Sequence, residues 1–202
     1  NMNMNEVLAN VALESMGYEL GQYEYLHPNT HVNMSQSTND VYPTSIRLAV
    51  LLNQKNMLDE LSLLVDSFKQ KGQEFNDVLK LARTQLQDAV PMTLGQEFKS
   101  FASTLNEDVR LISNNSNLLK EINLGGTAVG TGINTHPEFS GKVAELLAQA
   151  TGIPFKPASN FFPLISSQDA AVALSGQLKS VAVSLMKIAN DLRWMNSGPL
   201  AG

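Results

Sequence analysis

Cysteine is absent from the 202 residues, which excludes disulfides, thiolate catalysis and cysteine-ligated metal together. Only three histidines occur, His27, His31 and His136. His27 and His31 share an i,i+4 spacing, but Pro28 between them breaks the regular helix that a zinc-binding pair would use, so no metal site is expected. Charge is sparse, at 16% of residues, and its balance is −5. A net-negative chain has no electrostatic grip on a phosphate backbone, which argues against a nucleic-acid partner. A small anion would have to be held by local dipoles and a few placed donors. No apolar run reaches membrane-spanning length and no basic-then-apolar leader opens the chain, so no membrane partner is expected and a cytoplasmic location is the default. Aromatics are scarce too, at 6%. Asn1 stands where an initiator methionine would, and the chain closes on SGPLAG, so it reads as an excerpt of a longer polypeptide.

What is present is aliphatic. Hydrophobic residues make up 43%, enough to exclude a disordered chain and to build helices packed through Leu, Val and Ala. A first helix is predicted over Asn5–Met16, with Val7, Leu8, Val11, Ala12 and Met16 on its inner face, Asn3 or Asn5 as its cap and Gly17 as its stop. A polar loop covers 18–36. Helices then follow from about Asp40 to Leu52, with Pro43 tolerated in the first turn, and from Met57 to Phe75. From Leu94 another helix carries Phe98, Leu105, Ile112 and Leu119 at seven-residue steps, with Phe101, Val109 and Ile122 between them. A shorter helix is expected around Glu138–Ala150. The last, from about Ser166 to Asn196, alternates steps of four and three through Leu174, Leu178, Val181, Leu185, Ile188, Leu192 and Met195. That is a coiled-coil-like seam roughly 45 Å long. A helix of this length exceeds what one compact domain needs, so part of its surface is expected to meet helices of other chains. No strand ladder or internal repeat is evident. The expected fold is all-α, an elongated bundle of long helices spanning 1–202.

Four polar clusters interrupt the aliphatic pattern. RTQLQDAVPMTLGQEF (83–98) crowds Thr84, Gln85, Gln87 and Asp88 beside Arg83 before Pro91 bars a regular helix. It is either a hydrogen-bonded connector or a loop aimed at a ligand by the rigid helix that follows. SQSTND (35–40) puts Ser37, Thr38 and Asn39 at a helix start, where hydroxyls, an amide and free N–H groups suit a carboxylate; an ordinary N-cap uses the same residues. GGTAVGTGIN (125–134) is glycine-rich, but with no preceding strand or βαβ unit predicted it is not a dinucleotide loop. Its Asn134 is either a ligand-facing amide or a cap. HPNTH (27–31) is a surface turn or part of a site.

Taken in order, NMNMNEVLAN, HPN, SQSTND, RTQLQDAVPMTLGQEF, GGTAVGTGIN and MKIANDLRWMNSGP resemble the aspartase/fumarase superfamily of all-α lyases, and the resemblance covers essentially the whole chain. It implies a homotetramer built on a many-helix core, with each active site shared among three subunits. It also implies a small dicarboxylate substrate and no organic cofactor. The reaction would be an elimination from a succinyl skeleton to give fumarate through a doubly charged aci-carboxylate, which demands preorganised donors around the developing charge. By resemblance Ser37 and Thr38 bind the carboxylate that takes the extra charge, Asn39 holds the leaving amino group, Thr84 contacts the other carboxylate, and Gln85 lies near the leaving group. Asn134 joins the substrate-binding set. His27, Asn29 and Thr30 match a loop that forms a secondary anion site in the fumarase branch.

The branches divide on particular residues. SQSTND and RTQLQD resemble aspartate ammonia-lyases, whereas fumarases usually carry SSND and a histidine where Gln85 stands. GGTAVGTGINTHPE and MKIANDLRW lean towards fumarase. Hydroxide needs a proton from a titratable residue to depart, whereas an amino group already carries its own; Gln85 cannot titrate, which suits ammonia loss. A class II fumarase and a non-catalytic scaffold of the same superfamily are the alternatives. The chain departs from the family pattern in stopping before the GSSxMPxKxN loop, which carries the serine base and two substrate-gripping residues, and in starting after a threonine-bearing segment. A C-terminal domain is missing as well. Ala82 and Leu200 stand where glycine and arginine are common. The 202 residues alone are therefore expected to be inactive.

Overall fold

A computed structural model describes residues 1–198. It forms two compact units, one of Asn1–Leu52 with Asn117–Asp169, the other of Asn53–Ser116 with the chain from Ala170 onward.

The first unit opens with α1 (Met2–Ser15). Its buried side is not the apolar stripe the sequence suggested. Asn5, Ala9 and Leu13 are buried, while Val7, Leu8, Val11 and Met16 are about half exposed. The reason is polar. Asn1 and Asn5 both donate through Nδ2 to Asn33 Oδ1, each at 2.9 Å, so α1 is turned with its asparagines inward. Within the polar loop, Pro28–Val32 form one π-helical turn. His27 Nδ1 accepts from the N–H groups of Asn29 and Thr30, at 3.1 and 3.3 Å, and His31 Nδ1 accepts from His27 N–H at 2.8 Å.

Next comes α2 (Thr38–Glu74), 37 residues without a break, where the sequence suggested two helices. Residues 53–56, NQKN, are polar but contain neither glycine nor proline, and Lys55 pairs with Asp59 one turn on at 2.6 Å. Asn53, Lys55 and Asn56 are exposed, which does not end a helix, and the buried Gln54 donates its amide to Ser116 Oγ. Pro43 has no N–H, so the Asn39 carbonyl lacks its usual helical donor. Asn123 Nδ2 supplies the missing bond at 3.2 Å. Arg47, itself buried, donates to the carbonyls of Leu118 and Glu121 at 2.9 and 3.1 Å. It thus satisfies the Leu118 carbonyl that the last turn of the next long helix leaves open, and that of Glu121 just beyond the helix. The core of this unit joins Ile122, Leu124, Ala144 and Phe155 to Val41, Leu48 and Leu51.

The second unit contains a β-hairpin that the sequence reading did not foresee. Its strands are β1 (Leu79–Thr84) and β2 (Gln87–Thr93), paired antiparallel with an irregularity between Leu81 and Arg83, where Ala82 lies. Pro91 sits beside that irregularity, opposite Leu81, in a two-stranded ribbon where a missing N–H is tolerated. The turn residues Gln85 and Leu86 both have positive φ, +46° and +61°. A two-residue turn of this kind favours Asn-Gly. Leucine there stores about 1–2 kcal/mol of backbone strain, and Leu86 is 68% exposed, so its side chain recovers little by burial. Leu86→Gly is therefore expected to stabilise this unit by about 0.5–1 kcal/mol, read as a higher denaturant midpoint with an unchanged slope.

From β2 the chain enters α3 (Leu94–Leu119), the predicted long helix; Leu105, Ile112 and Leu119 of its seven-residue pattern are buried, Phe98 is half-buried, and Phe101 between them is buried as well. A two-residue strand, β3 (Glu121–Ile122), pairs in parallel with β4 (Lys156–Pro157) on either side of α4 (Phe139–Thr151). A short α5 (Phe161–Ser166) precedes α6 (Asp169–Met195). In α6, Leu174, Val181 and Ile188 are buried, whereas Leu178 and Leu192 of the same seam are 40% and 37% exposed. Val172, Val183, Met186 and Trp194 are exposed as well. By length and composition α6 is also the one helix among the described residues apolar enough to cross a membrane, with a mean hydropathy of 1.2 in its most apolar window. This corrects the expectation that no such run exists. Helices are the dominant element, and the hairpin and the β3–β4 bridge are the exceptions.

Candidate functional site

Ser37 immediately precedes α2. Its Oγ accepts from Asn39 N–H at 3.2 Å, and its own N–H donates to Asp40 Oδ1 at 2.9 Å. This is a reciprocal capping box closed by an aspartate in place of the usual glutamate. The other oxygen, Asp40 Oδ2, accepts from Gly125 N–H at 3.1 Å and Thr127 N–H at 2.8 Å. Asp40 is completely buried. Burial pushes its carboxyl above the ordinary carboxylate range, and the N–H groups of Ser37, Thr127, Gly125 and Val41 pull it back. The donors together with the positive end of α2 supply what an ionised carboxylate needs in place of water.

Around this carboxylate the glycine-rich loop is fastened to the helix start. Asn39 Nδ2 donates to Ala128 O at 2.7 Å. Asn123 bridges, donating to Asn39 O and accepting from Thr44 Oγ1 at 3.3 Å. Gly125 has φ +102°, and a Cβ there would come within 2.9 Å of the Ser140 side chain; at Gly126 a Cβ would lie 2.9 Å from Phe161. Glycine thus serves close backbone packing here. The minimal β3–α4–β4 crossover supplies the strand whose absence was one reason for rejecting a dinucleotide loop. The rejection now rests on a different fact: the loop does not open a helix, because α4 begins only at Phe139.

The hydroxyl of Thr38 is exposed and has no hydrogen-bond partner among the described residues. Asn39 is exposed, its amide N–H group is taken by a carbonyl, and its Oδ1 remains open. Since a carbonyl can only accept, that bond fixes which end of the amide is free. Asn134 ends the loop in a left-handed conformation, φ +60°, with its side chain exposed. Ser37, Asn39, Asp40 and loop residues 125–128 form one hydrogen-bonded cluster in the first unit, from which the Thr38 hydroxyl stands apart. His27, Asn29 and Thr30 lie in the same unit but bond to one another, so the two N–H groups an anion would use are occupied by a histidine nitrogen.

Thr84 and Gln85 belong to the second unit, at the end of β1 and the start of the turn, and both are exposed. Two adjacent non-glycine residues at positive φ are the kind of strained backbone that persists at functional positions. Beneath the hairpin, a cavity of about 580 Å³ is lined by Lys80, Arg83, Glu97, Lys187, Asp191 and Trp194, among others. Lys80 pairs with Glu97 and Lys187 with Asp191. Arg83 has no ion-pair partner among the described residues. No group of three His, Asp or Glu residues able to hold a metal occurs among them either. Leu200 lies outside the described residues. Asp40 and Asn123 are the residues that sequence reasoning missed. The serine-to-aspartate spacing was a readable signal for Asp40, but nothing local marks Asn123.

Known proteins match this chain along its whole length. The chain is 56% identical to an aspartate ammonia-lyase of Pseudomonas aeruginosa and 52% identical to one of Escherichia coli, with all of this chain matched in both cases. It spans 43% and 42% of those proteins. A crystal structure described as fumarate lyase:delta crystallin from Brucella melitensis bound to cobalt superposes with a TM-score of 0.96 at 51% identity, covering all of this chain and 44% of that one. A class II fumarase from Schistosoma mansoni gives 0.93 at 36% identity, with 45% of its chain covered. The family model described as "Lyase" matches residues 1–202, and the chain belongs to that lyase family.

Proposed function

We propose that this chain is the central portion of an L-aspartate ammonia-lyase, a carbon–nitrogen lyase that interconverts L-aspartate with fumarate and ammonia. The observation that carries the reading is identity above one half, across every residue, to proteins named aspartate ammonia-lyase. Their greater length is the support for placing it within a longer polypeptide whose other segments supply the serine base, a lysine and an asparagine. A base takes the proton from Cβ, and the electron pair moves into the neighbouring carboxylate to give the aci-carboxylate. That pair then returns to form the double bond as the C–N bond breaks, and the amino group departs as neutral ammonia. Ser37 and Thr38 donate to the carboxylate that becomes doubly charged. A hydroxyl without an internal partner, beside the positive end of a long helix, is suited to that task. Asn39 offers Oδ1 to the ammonium of the substrate, which can only donate. Thr84 holds the second carboxylate, Gln85 lies by the leaving group, and Asn134 completes the pocket. His27, Asn29 and Thr30 form a secondary anion site, which the anion enters by displacing the internal histidine bonds.

The working form is a cytoplasmic homotetramer whose sites draw on three subunits. Support comes from the apolar faces of α1 and α6 that the chain leaves uncovered. Dehydration of malate is the second reading, favoured by the likeness to the Schistosoma mansoni fumarase. Fumarate appearance in the ultraviolet, with the complete polypeptide offered aspartate or malate, decides between them, and a non-catalytic scaffold would yield neither signal. Gln85→His is expected to cost about 10- to 100-fold in aspartate turnover and to bring malate turnover into view, because a titratable group can protonate a departing hydroxide. A variant with no malate turnover would count against the role given to Gln85.

A further inference from the structure

We infer that Asp40 is a positioning residue for the leaving amino group, clamping the glycine-rich loop to the start of α2 so that Ala128 O holds the amide of Asn39 with its oxygen free. The inference rests on the ammonia-lyase reading above. Its geometry is independent of that reading. One carboxylate receives three backbone N–H groups from two segments, Ser37 on one side and Gly125 and Thr127 on the other. Thr127 is followed directly by Ala128, the residue whose carbonyl takes Asn39 Nδ2 at 2.7 Å. Moving the 125–127 backbone moves that carbonyl with it.

Only aspartate satisfies this arrangement. Three donors converge and none of their hydrogens can be withheld, so the partner must be acceptor-only. Asparagine has one acceptor oxygen and would aim its NH2 at a backbone N–H on one side or the other. Glutamate keeps the charge but adds a methylene at a site with no exposed surface. Either change leaves Ser37 and Thr38 at the helix start, where they still serve a carboxylate. What is lost is the register between loop and helix. Freed from Ala128, the Asn39 amide turns, and it presents a donor to an ammonium as often as an acceptor.

The test uses Asp40→Asn in the complete polypeptide, with Asp40→Glu beside it. Asp40→Asn is expected to lower kcat/KM for L-aspartate about 100-fold. Inhibition by fumarate, which has no amino group, changes less than about threefold because the carboxylate donors stay in place. The double variant Asn39→Ala with Asp40→Asn is expected to be no worse than Asn39→Ala alone, since both changes remove one function. Asp40→Glu shows the same split at about 10-fold. Equal losses for aspartate and fumarate, multiplying effects in the double variant, or an Asp40→Asn enzyme of normal activity would each overturn the assignment. So would failure of both variants to fold, which would make Asp40 a structural residue only. A wild-type polypeptide that releases no fumarate from aspartate would instead remove the functional reading on which the inference rests.

Discussion

In the complete polypeptide, subunits carrying Thr38→Val and subunits carrying Thr84→Val, each expected to be nearly inactive alone, are expected to regain about one quarter of wild-type activity when dissociated and reassembled together. The reasoning starts from the loss. Valine keeps the shape of threonine and removes the hydroxyl, so each variant is expected to fold while lacking the donor proposed for a substrate carboxylate. Loss of one preorganised donor costs about 10²–10³-fold in turnover. Thr38 and Thr84 belong to different compact units of the chain. If each site takes Thr38 from one subunit and Thr84 from another, an equal random mixture fills both positions with intact residues at about one half times one half of the sites. If both residues come from the same subunit, no mixture can build an intact site. Activity that never exceeds the sum of the two variants would therefore refute a site shared between subunits in this way. Purifying each variant and mixing without dissociation is the control, and it is expected to show no recovery.

Leu105→Ala is expected to lower the stability of the second unit by about 2–5 kcal/mol, a large share of the 5–15 kcal/mol typical of a domain. Leu105 is fully buried within a cluster of Val65, Phe68, Phe101, Ala102 and Ile188. Aromatic rings border it, with Phe68 and Phe101 in an edge contact at 5.7 Å between centroids, and planar rings do not collapse easily into the space a leucine leaves. Urea unfolding of the variant is expected to show a lower midpoint with the same slope. Leu105→Met, which roughly conserves volume, is expected to cost less than about 1.5 kcal/mol. A Leu105→Ala loss below about 1 kcal/mol would mean that this cluster is not the centre of the unit.

Much of this architecture could be read from the chain, and the failures have identifiable causes. The helix from Leu94 was legible because Leu105, Ile112 and Leu119 repeat at an interval that only a helix brings to one side. The hairpin was not, because Gln-Leu is a poor turn pair and Leu79 and Leu81 are exposed, so no alternating inward face marks the strand. The buried side of α1 was misread because hydrophobicity pointed one way and the Asn5–Asn33 bond pulled the other. At the site, SQSTND was legible as a helix start rich in donors. The clamp was not, because Asp40 meets Gly125 and Thr127 at separations of 85 and 87 residues, which no local pattern encodes.

Pro43 has a consequence for the order in which this protein assembles. By withholding one N–H it leaves the opening turn of α2 one bond short until Asn123, 84 residues beyond Asn39, takes the Asn39 carbonyl. Helices ordinarily finish themselves from nearby residues within about a microsecond. This one has its first turn waiting on a distant contact, the slow kind of event in folding. The rod is then expected to form early and its opening turn to be completed late.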